Sequence, residues 1–213
     1  MRGIVSLFLL YFCALRFAFC VLTCLYPLPF DFFVSMDKAS LIAKIHETPV
    51  MAVIVVTGGG AQALADLLAV PGASRTLLEA VVPYSEKSLE AFLGSPPVQA
   101  VSVDTAAALA QAAYRRATIL HENDSVPVIG LSCTATLVTD RPKKGDHRAY
   151  IGLCTAKQTR VYSLTLQKGA RDRQGEERVV SDLLLQACAE GSNLSLTLTL
   201  SLLPEEHLTV EER

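Results

Sequence analysis

The stretch Val50 to Val70, VMAVIVVTGGGAQALADLLAV, constrains this chain more than any other. Its first part, Val50 to Val56, is apolar and largely β-branched, which reads as a buried strand. Thr57-Gly58-Gly59-Gly60 follows, and then Leu64, Leu67 and Leu68 recur at helical spacing. A strand that passes through a glycine turn into a helix makes a pocket over the turn. The first N–H groups of the helix have no partner inside it and favour an anion. Glycines let a ligand approach the main chain closely. Thr57, at the strand end, sets a hydroxyl beside that position. The same pattern also fits a tight strand–helix turn with no ligand, and the residues leave both readings open.

At 213 residues the chain is expected to form one domain with ample apolar material for a core. Nineteen basic and 21 acidic residues give a net charge of −2, which argues against a dedicated nucleic-acid binder. Six cysteines are too few and too scattered for a disulfide scaffold. Cys133, Cys154 and Cys188 sit in apolar or small-residue settings and are expected as buried reduced thiols. The sequence has no CxxC pair and no HExxH, so no metal and no cofactor is expected.

Residues 1 to 35 differ in kind from the rest. Ile4 to Val34 is nearly all apolar, with Arg16 in the middle and Pro27 and Pro29 near the end. Three readings stand: a secretory signal, a membrane-anchoring helix, or translated sequence upstream of a start at Met36. The third is preferred, because Met36-Asp37-Lys38-Ala39-Ser40 looks like a cytosolic start. It implies a cytoplasmic protein, whereas a retained leader implies membrane anchoring or secretion. Residues 36–203 are then the folded domain and 204–213 a polar, solvated tail.

Along the domain, 37–48 reads as an amphipathic helix ending before Pro49. Leu77 to Val82 reads as a second strand. Ser85 is placed to cap a helix reaching about Leu93, and Val98 to Val101 reads as a short extended piece. Ser102 or Asp104 can cap the next helix, whose Ala106, Leu109, Ala110, Ala113 and Ala117 form a small-residue face. Val126 to Leu131 is a third strand, and Ser132 to Asp146 a loop. Arg148 to Thr155 and Arg160 to Gln167 form an antiparallel hairpin. Glu176 to Glu190 is a helix with acidic residues in its first turn. Asn193 to Leu202 alternates Ser or Thr with Leu, the pattern of a half-buried strand. The sum is a three-layer α/β/α sandwich with a mixed sheet.

Four clusters can carry chemistry. The first is Thr57 with Gly58, Gly59 and Gly60. The second is Tyr84-Ser85, beyond a strand end, where a tyrosine either caps a core or touches a ligand. The third is Ser132-Cys133-Thr134 with Thr136, directly after a buried strand, where α/β proteins commonly place ligand contacts. The fourth is Arg141-Pro142-Lys143-Lys144-Gly145-Asp146-His147-Arg148, a compact basic loop that would draw a phosphate or carboxylate. Within it Asp146 either orients His147 for acid–base work or pairs with Arg148.

VTGGGAQALADLLAVPGAS, AVVPYSEKSLEAFLG and VPVIGLSCTATLVTDRPKKGDHRAYIGL together resemble the C-terminal domain of the competence/damage-inducible protein CinA. That is the family of bacterial nicotinamide mononucleotide (NMN) amidohydrolases. The likeness spans roughly Val50 to Glu190. It implies an α/β/α domain, usually oligomeric, that hydrolyses the nicotinamide amide to the acid and ammonia without a metal. The partner implied is a small nucleotide such as NMN, and the chain itself is expected to be a homo-oligomer. In the amidases the organising turn reads Glu-Ser-Cys-Thr-Gly-Gly, with the serine as nucleophile. Counted back from Gly72, that serine falls on Thr57, its glutamate on Val56 and the Cys-Thr pair on Gly58-Gly59. The family's lysine after Tyr-Ser falls on Leu89, and its glycine-rich loop on Gly130-Leu131-Ser132-Cys133-Thr134. The pattern is that of a divergent branch. A eukaryotic branch with a similar RPK-x-GDHR loop resembles domains set ahead of a nucleotidyltransferase-like domain, and no such domain is expected within these residues.

Two functions follow. In the first, Thr57 attacks the amide, Gly58 to Gly60 cradle an oxyanion or phosphate, and Lys143, Lys144, His147 and Arg148, with Tyr84, Ser85, Ser132 and Thr134, hold the nucleotide. In the second, the site is silent and the domain binds a nucleotide or a protein.

Overall fold

The computed structural model describes residues 36–121, 125–141 and 144–213. The readings of residues 1–35, and of Lys143, fall outside that set. No helix among the described residues is long and apolar enough to cross a membrane.

Helix α1 (Lys38–Glu47) starts on Asp37, whose carboxylate accepts the Ser40 N–H. Strand β1 (Met51–Thr57) is buried on both faces, which is why its sequence runs apolar without alternation. Helix α2 (Ala61–Ala69) follows the glycine turn. It buries Ala63 and Leu67, while Leu68, expected on the core face, is 60% exposed. Next come β2 (Leu77–Val81), α3 (Glu86–Leu93) and the long α4 (Val103–Leu120), capped by Ser102. The segment before α4, expected to be extended, forms only bends. Strands β3 (Val128–Thr136), β4 (His147–Cys154) and β5 (Thr159–Leu166) precede α5 (Arg173–Gly191), and β6 (His207–Glu212) ends the sheet.

The sheet order is β2-β1-β3-β4-β5-β6. β1 lies parallel to β2 and β3, and the remaining pairs are antiparallel, so the sheet is mixed. From β1 the chain steps outward to β2 through α2, then returns past β1 to β3 through α3 and α4. Right-handed crossovers taken in opposite directions put their helices on opposite faces. Accordingly α1, α2 and α5 pack on one face with Ile54, Val56, Leu131, Ile151 and Leu164. On the other, Leu89 of α3 and Leu109 of α4 pack on Val53 and Val55. These are the three layers of an α/β/α sandwich.

Three expectations change. The third strand runs to Thr136, so Ser132, Cys133 and Thr134 are strand residues and not loop residues. The hydroxyls of Ser132 and Thr134, read there as candidate ligand contacts, bond to main chain nearby. Ser132 Oγ donates to Ala106 O at 2.7 Å and Thr134 Oγ1 to Ala100 O at 2.6 Å. The segment after α5 keeps its period of two but joins no ladder. Its leucines lie against the α5-face core, and Gln186 holds its backbone through Leu196 O and Leu198 N–H. The supposed polar tail is β6, paired with β5 from Thr165↔His207 to Arg160↔Glu212.

Candidate functional site

The glycine turn, the start of β4 and the N-terminus of α5 meet at one end of the sheet. Thr57 closes β1 opposite Thr134 of β3, and Thr136 lies opposite Arg148 of β4. The basic loop therefore enters the sheet at the same end as the triple glycine. Alternation divides these residues between faces. Thr57, Thr134, Thr136 and Arg148 share the α4 face with Val53 and Val55, whereas His147 shares the α5 face with Ala149 and Ile151.

The triple glycine is pressed against β3. Gly58 and Gly60 hold φ of 79° and 87°, a left-handed backbone open mainly to glycine. A Cβ at Gly58 would lie 2.0 Å from Ala135 O, one at Gly59 2.8 Å from Leu137 Cδ1, and one at Gly60 3.0 Å from Cys133 Sγ. Chain atoms thus fill the space that the missing side chains leave.

One amide at the start of α2 also has an occupant. Glu177 Oε1, just past the first turn of α5, accepts the Gln62 N–H at 3.1 Å. Arg173 lies 3.7 Å from the other Glu177 oxygen and donates to Gly58 O at 2.8 Å and to Val138 O at 3.2 Å. Beside it Glu176, 0% exposed, bonds His147 Nδ1 at 2.6 Å and accepts the Val138 N–H at 2.7 Å. Two adjacent carboxylates of α5 therefore tie the glycine turn, the end of β3 and the start of β4 together. Glu176, in the first turn of α5, also sits where the helix dipole favours a negative charge.

The remaining sequence candidates separate. Tyr84 is 73% exposed, and Ser85 caps α3 by accepting the Ser88 N–H at 3.2 Å. Ser132 and Thr134 are fully buried in β3. Lys144 is exposed, and Arg148 is half-buried in β4. Among the described residues, no group of three or more His, Cys, Asp or Glu side chains is placed to hold a metal. Burial raises Cys133 far above the usual thiol range, with the Glu177 charge adding to the effect, and pushes Cys188 up to about 12. Neither thiol is a ready nucleophile. Arg173, Glu176 and Glu177 were not singled out from sequence. The available signal was the Glu-Glu pair near the start of a helix, directly after a charged turn.

Solved structures match this fold over most of the chain. A CinA superfamily protein from Enterobacter cloacae is 15% identical with a TM-score of 0.54, covering 79% of this chain and 97% of that one. A competence/damage inducible protein from Agrobacterium tumefaciens gives 15% and 0.54, over 73% of this chain and 93% of that one. The chain has the CinA fold. A CinA superfamily protein from Escherichia coli, at 12% identity and a TM-score of 0.52, covers 74% of this chain and 88% of its own. No protein-family model matches the sequence, and no curated protein matches it. At such identities the likeness fixes the fold of a divergent CinA-like chain, and the chemistry has to be argued from its own residues.

Proposed function

We propose that this chain uses the CinA fold to bind an anionic nucleotide of the NMN class without hydrolysing it. The observation that carries the reading is Glu177 seated on the Gln62 amide. Amide hydrolysis builds negative charge on the carbonyl oxygen, which bare N–H groups at such a turn would stabilise. A carboxylate already held there opposes that charge. A threonine nucleophile also needs a base. Glu176 is committed to His147 and the Val138 amide, and Glu177 to Gln62 and Arg173. The basic loop entering at this end of the sheet supports an anionic ligand, and the resemblance of the glycine-turn segments suggests a pyridine nucleotide.

The competing reading keeps Thr57 as the nucleophile of an NMN amidohydrolase, on the strength of its hydroxyl at the end of β1. An ammonia-release assay on NMN separates the two. Background-level release, equal in wild type and Thr57→Ala, is expected. Release by wild type that Thr57→Ala abolishes would overturn the silent site. Calorimetric titration with NMN should give a saturable heat, and its absence at millimolar ligand would overturn the nucleotide reading.

A further inference from the structure

The end of the sheet away from the glycine turn holds a cavity of about 580 Å³, within the size range of small-molecule sites. β3 begins there, beside the turn 155–158 that joins β4 to β5, and α4 and α5 both finish there. The floor is apolar: Ile129 and Leu153 are buried, and Val128 and Tyr114 half-buried. Gly191 lets the last turn of α5 rest on that floor, since a Cβ there would lie 2.7 Å from Leu153 Cδ1 and 2.9 Å from Ile129 Cδ1. The rim carries amides. The Gln158 and Asn193 carboxamides border the cavity, and among the described residues neither has a partner within the protein. Asn193 is held at φ 57°, with its N–H on Glu190 O at 2.9 Å, so its side chain leaves a fixed backbone. Each carboxamide both donates and accepts. Charge is balanced in the lining. Arg160 pairs with Glu190 and Glu212, and Glu190 also accepts the Tyr162 hydroxyl at 2.5 Å. Exposed Lys157 enters no ion pair among the described residues. The carboxyl ends of two helices border the same cavity, and their dipoles offset that ammonium.

We propose that this cavity is a second binding site, for a small uncharged ring compound with an amide or lactam edge. An ion entering such a lining would lose its water and gain no unpaired counter-charge of strength. An uncharged ring covers the apolar floor, and its amide edge meets the Gln158 and Asn193 carboxamides donor to acceptor. The site lies at the opposite end of β1 and β3 from Thr57 and Thr134. It therefore stands apart from the nucleotide reading and is tested without it.

The experiment titrates three probes with the full chain: 2-naphthamide, 2-naphthoate and 2-naphthylmethylamine, which share a ring system and differ in charge. Naphthyl fluorescence anisotropy reports binding, and the chain has no tryptophan to interfere. Wild type should bind the amide saturably and about tenfold or more tighter than either ion. Gln158→Ala combined with Asn193→Gly should weaken the amide about tenfold, by removing two hydrogen-bonding groups. Both changes spare the fold, because glycine accepts the φ of Asn193 and the Gln158 side chain bonds nothing in the protein. Thr118→Phe, at an exposed position of α4 on the cavity wall, should block binding. Lys157→Gln should leave amide binding unchanged. Circular dichroism checks each variant, and the double variant carries the test if Thr118→Phe does not fold. Amide binding that survives the double variant, or no saturation of wild type at millimolar probe, overturns the site. Tighter binding of 2-naphthoate that Lys157→Gln abolishes overturns the uncharged class.

Discussion

Gly58 shows how little room the organising turn leaves a side chain. Its φ of 79° is strained for any other residue, and an added Cβ would meet Ala135 O at 2.0 Å. Gly58→Ala should therefore lower stability by about 1–3 kcal/mol, read as a fall in the urea midpoint. Gly145→Ala, with nothing among the described residues within 4 Å of its Cβ, serves as the neutral control. Glu206 is a second residue-scale case. Burial alone raises its carboxyl, but the Leu203 amide, the Arg171 guanidinium and the Gln167 amide outweigh burial and hold it below the usual 4.5. A carboxyl depressed in the folded state stabilises above the unfolded pKa, and that contribution fades as pH falls through the folded one. Urea midpoints from pH 7 downward should show wild type well ahead of Glu206→Gln at neutrality, with the gap closing below about pH 4.5. A constant gap would mean that the charge of Glu206 contributes nothing. The sequence made the glycine turn legible because its residues are contiguous. It hid what fills the turn, because Glu177 stands 115 positions from Gln62.

At the scale of elements, the small face of α4 meets two glycines of the sheet. A Cβ at Gly130 would fall 2.2 Å from Ala110 O and from Tyr114 N, and one at Gly152 2.5 Å from Ala106 O. Helix and strands touch main chain to main chain, so α4 must move if Gly130 carries a side chain. Gly130→Val should destabilise by about 3 kcal/mol or more, beyond the about 1–3 kcal/mol usual for overpacking, because backbone blocks it. A thermal midpoint within a degree of wild type would refute this approach. The alanine spacing of α4 announced such packing in advance. Periodicity also located α1, α3, β1, β4 and β5 to within a residue or so at each end. It failed at β3, where Ser132, Thr134 and Thr136 resemble loop chemistry. Two of these hydroxyls are in fact consumed by carbonyls of α4 and of the bend before it. It failed again after α5, where alternating leucines record a half-buried extended segment but say nothing of whether a strand pairs with it. Gln186 supplies the bonds that a ladder would have given. Gln186→Ala should free both and loosen the segment by about 1–2 kcal/mol, seen as faster amide exchange at Leu198.

For the whole molecule, the two edges of the sheet are finished differently, and the carboxyl-terminal one tests how the domain is closed. β6 is nearly all exposed, with Glu211, Glu212 and Arg213 at its end. Charges of this kind blunt an edge against pairing with other chains, and they also disguise a strand as a solvated tail. What β6 adds is main-chain pairing along β5, a partly buried Leu208 against the α5-face core, and the Arg213–Asp104 pair to the start of α4. The segment before it is held separately. Glu206 accepts the Gln167 and Leu203 amides at 3.1 and 2.8 Å and pairs with Arg171, and Arg171 also reaches Ser201 O. A chain stopped after Glu206 therefore keeps that clamp and loses β6 alone. The exposed ion pair adds little. Net hydrogen bonds of about 0.5–1.5 kcal/mol each and partial burial of one leucine amount to about 3 kcal/mol. For a domain of this size that is a midpoint lower by about 6–12 °C in scanning calorimetry. β5 would then be a bare edge carrying Tyr162 and Leu164, so the shortened chain should also self-associate as its concentration rises. An unchanged midpoint would show that five strands already complete the fold and that the last one is only laid against it.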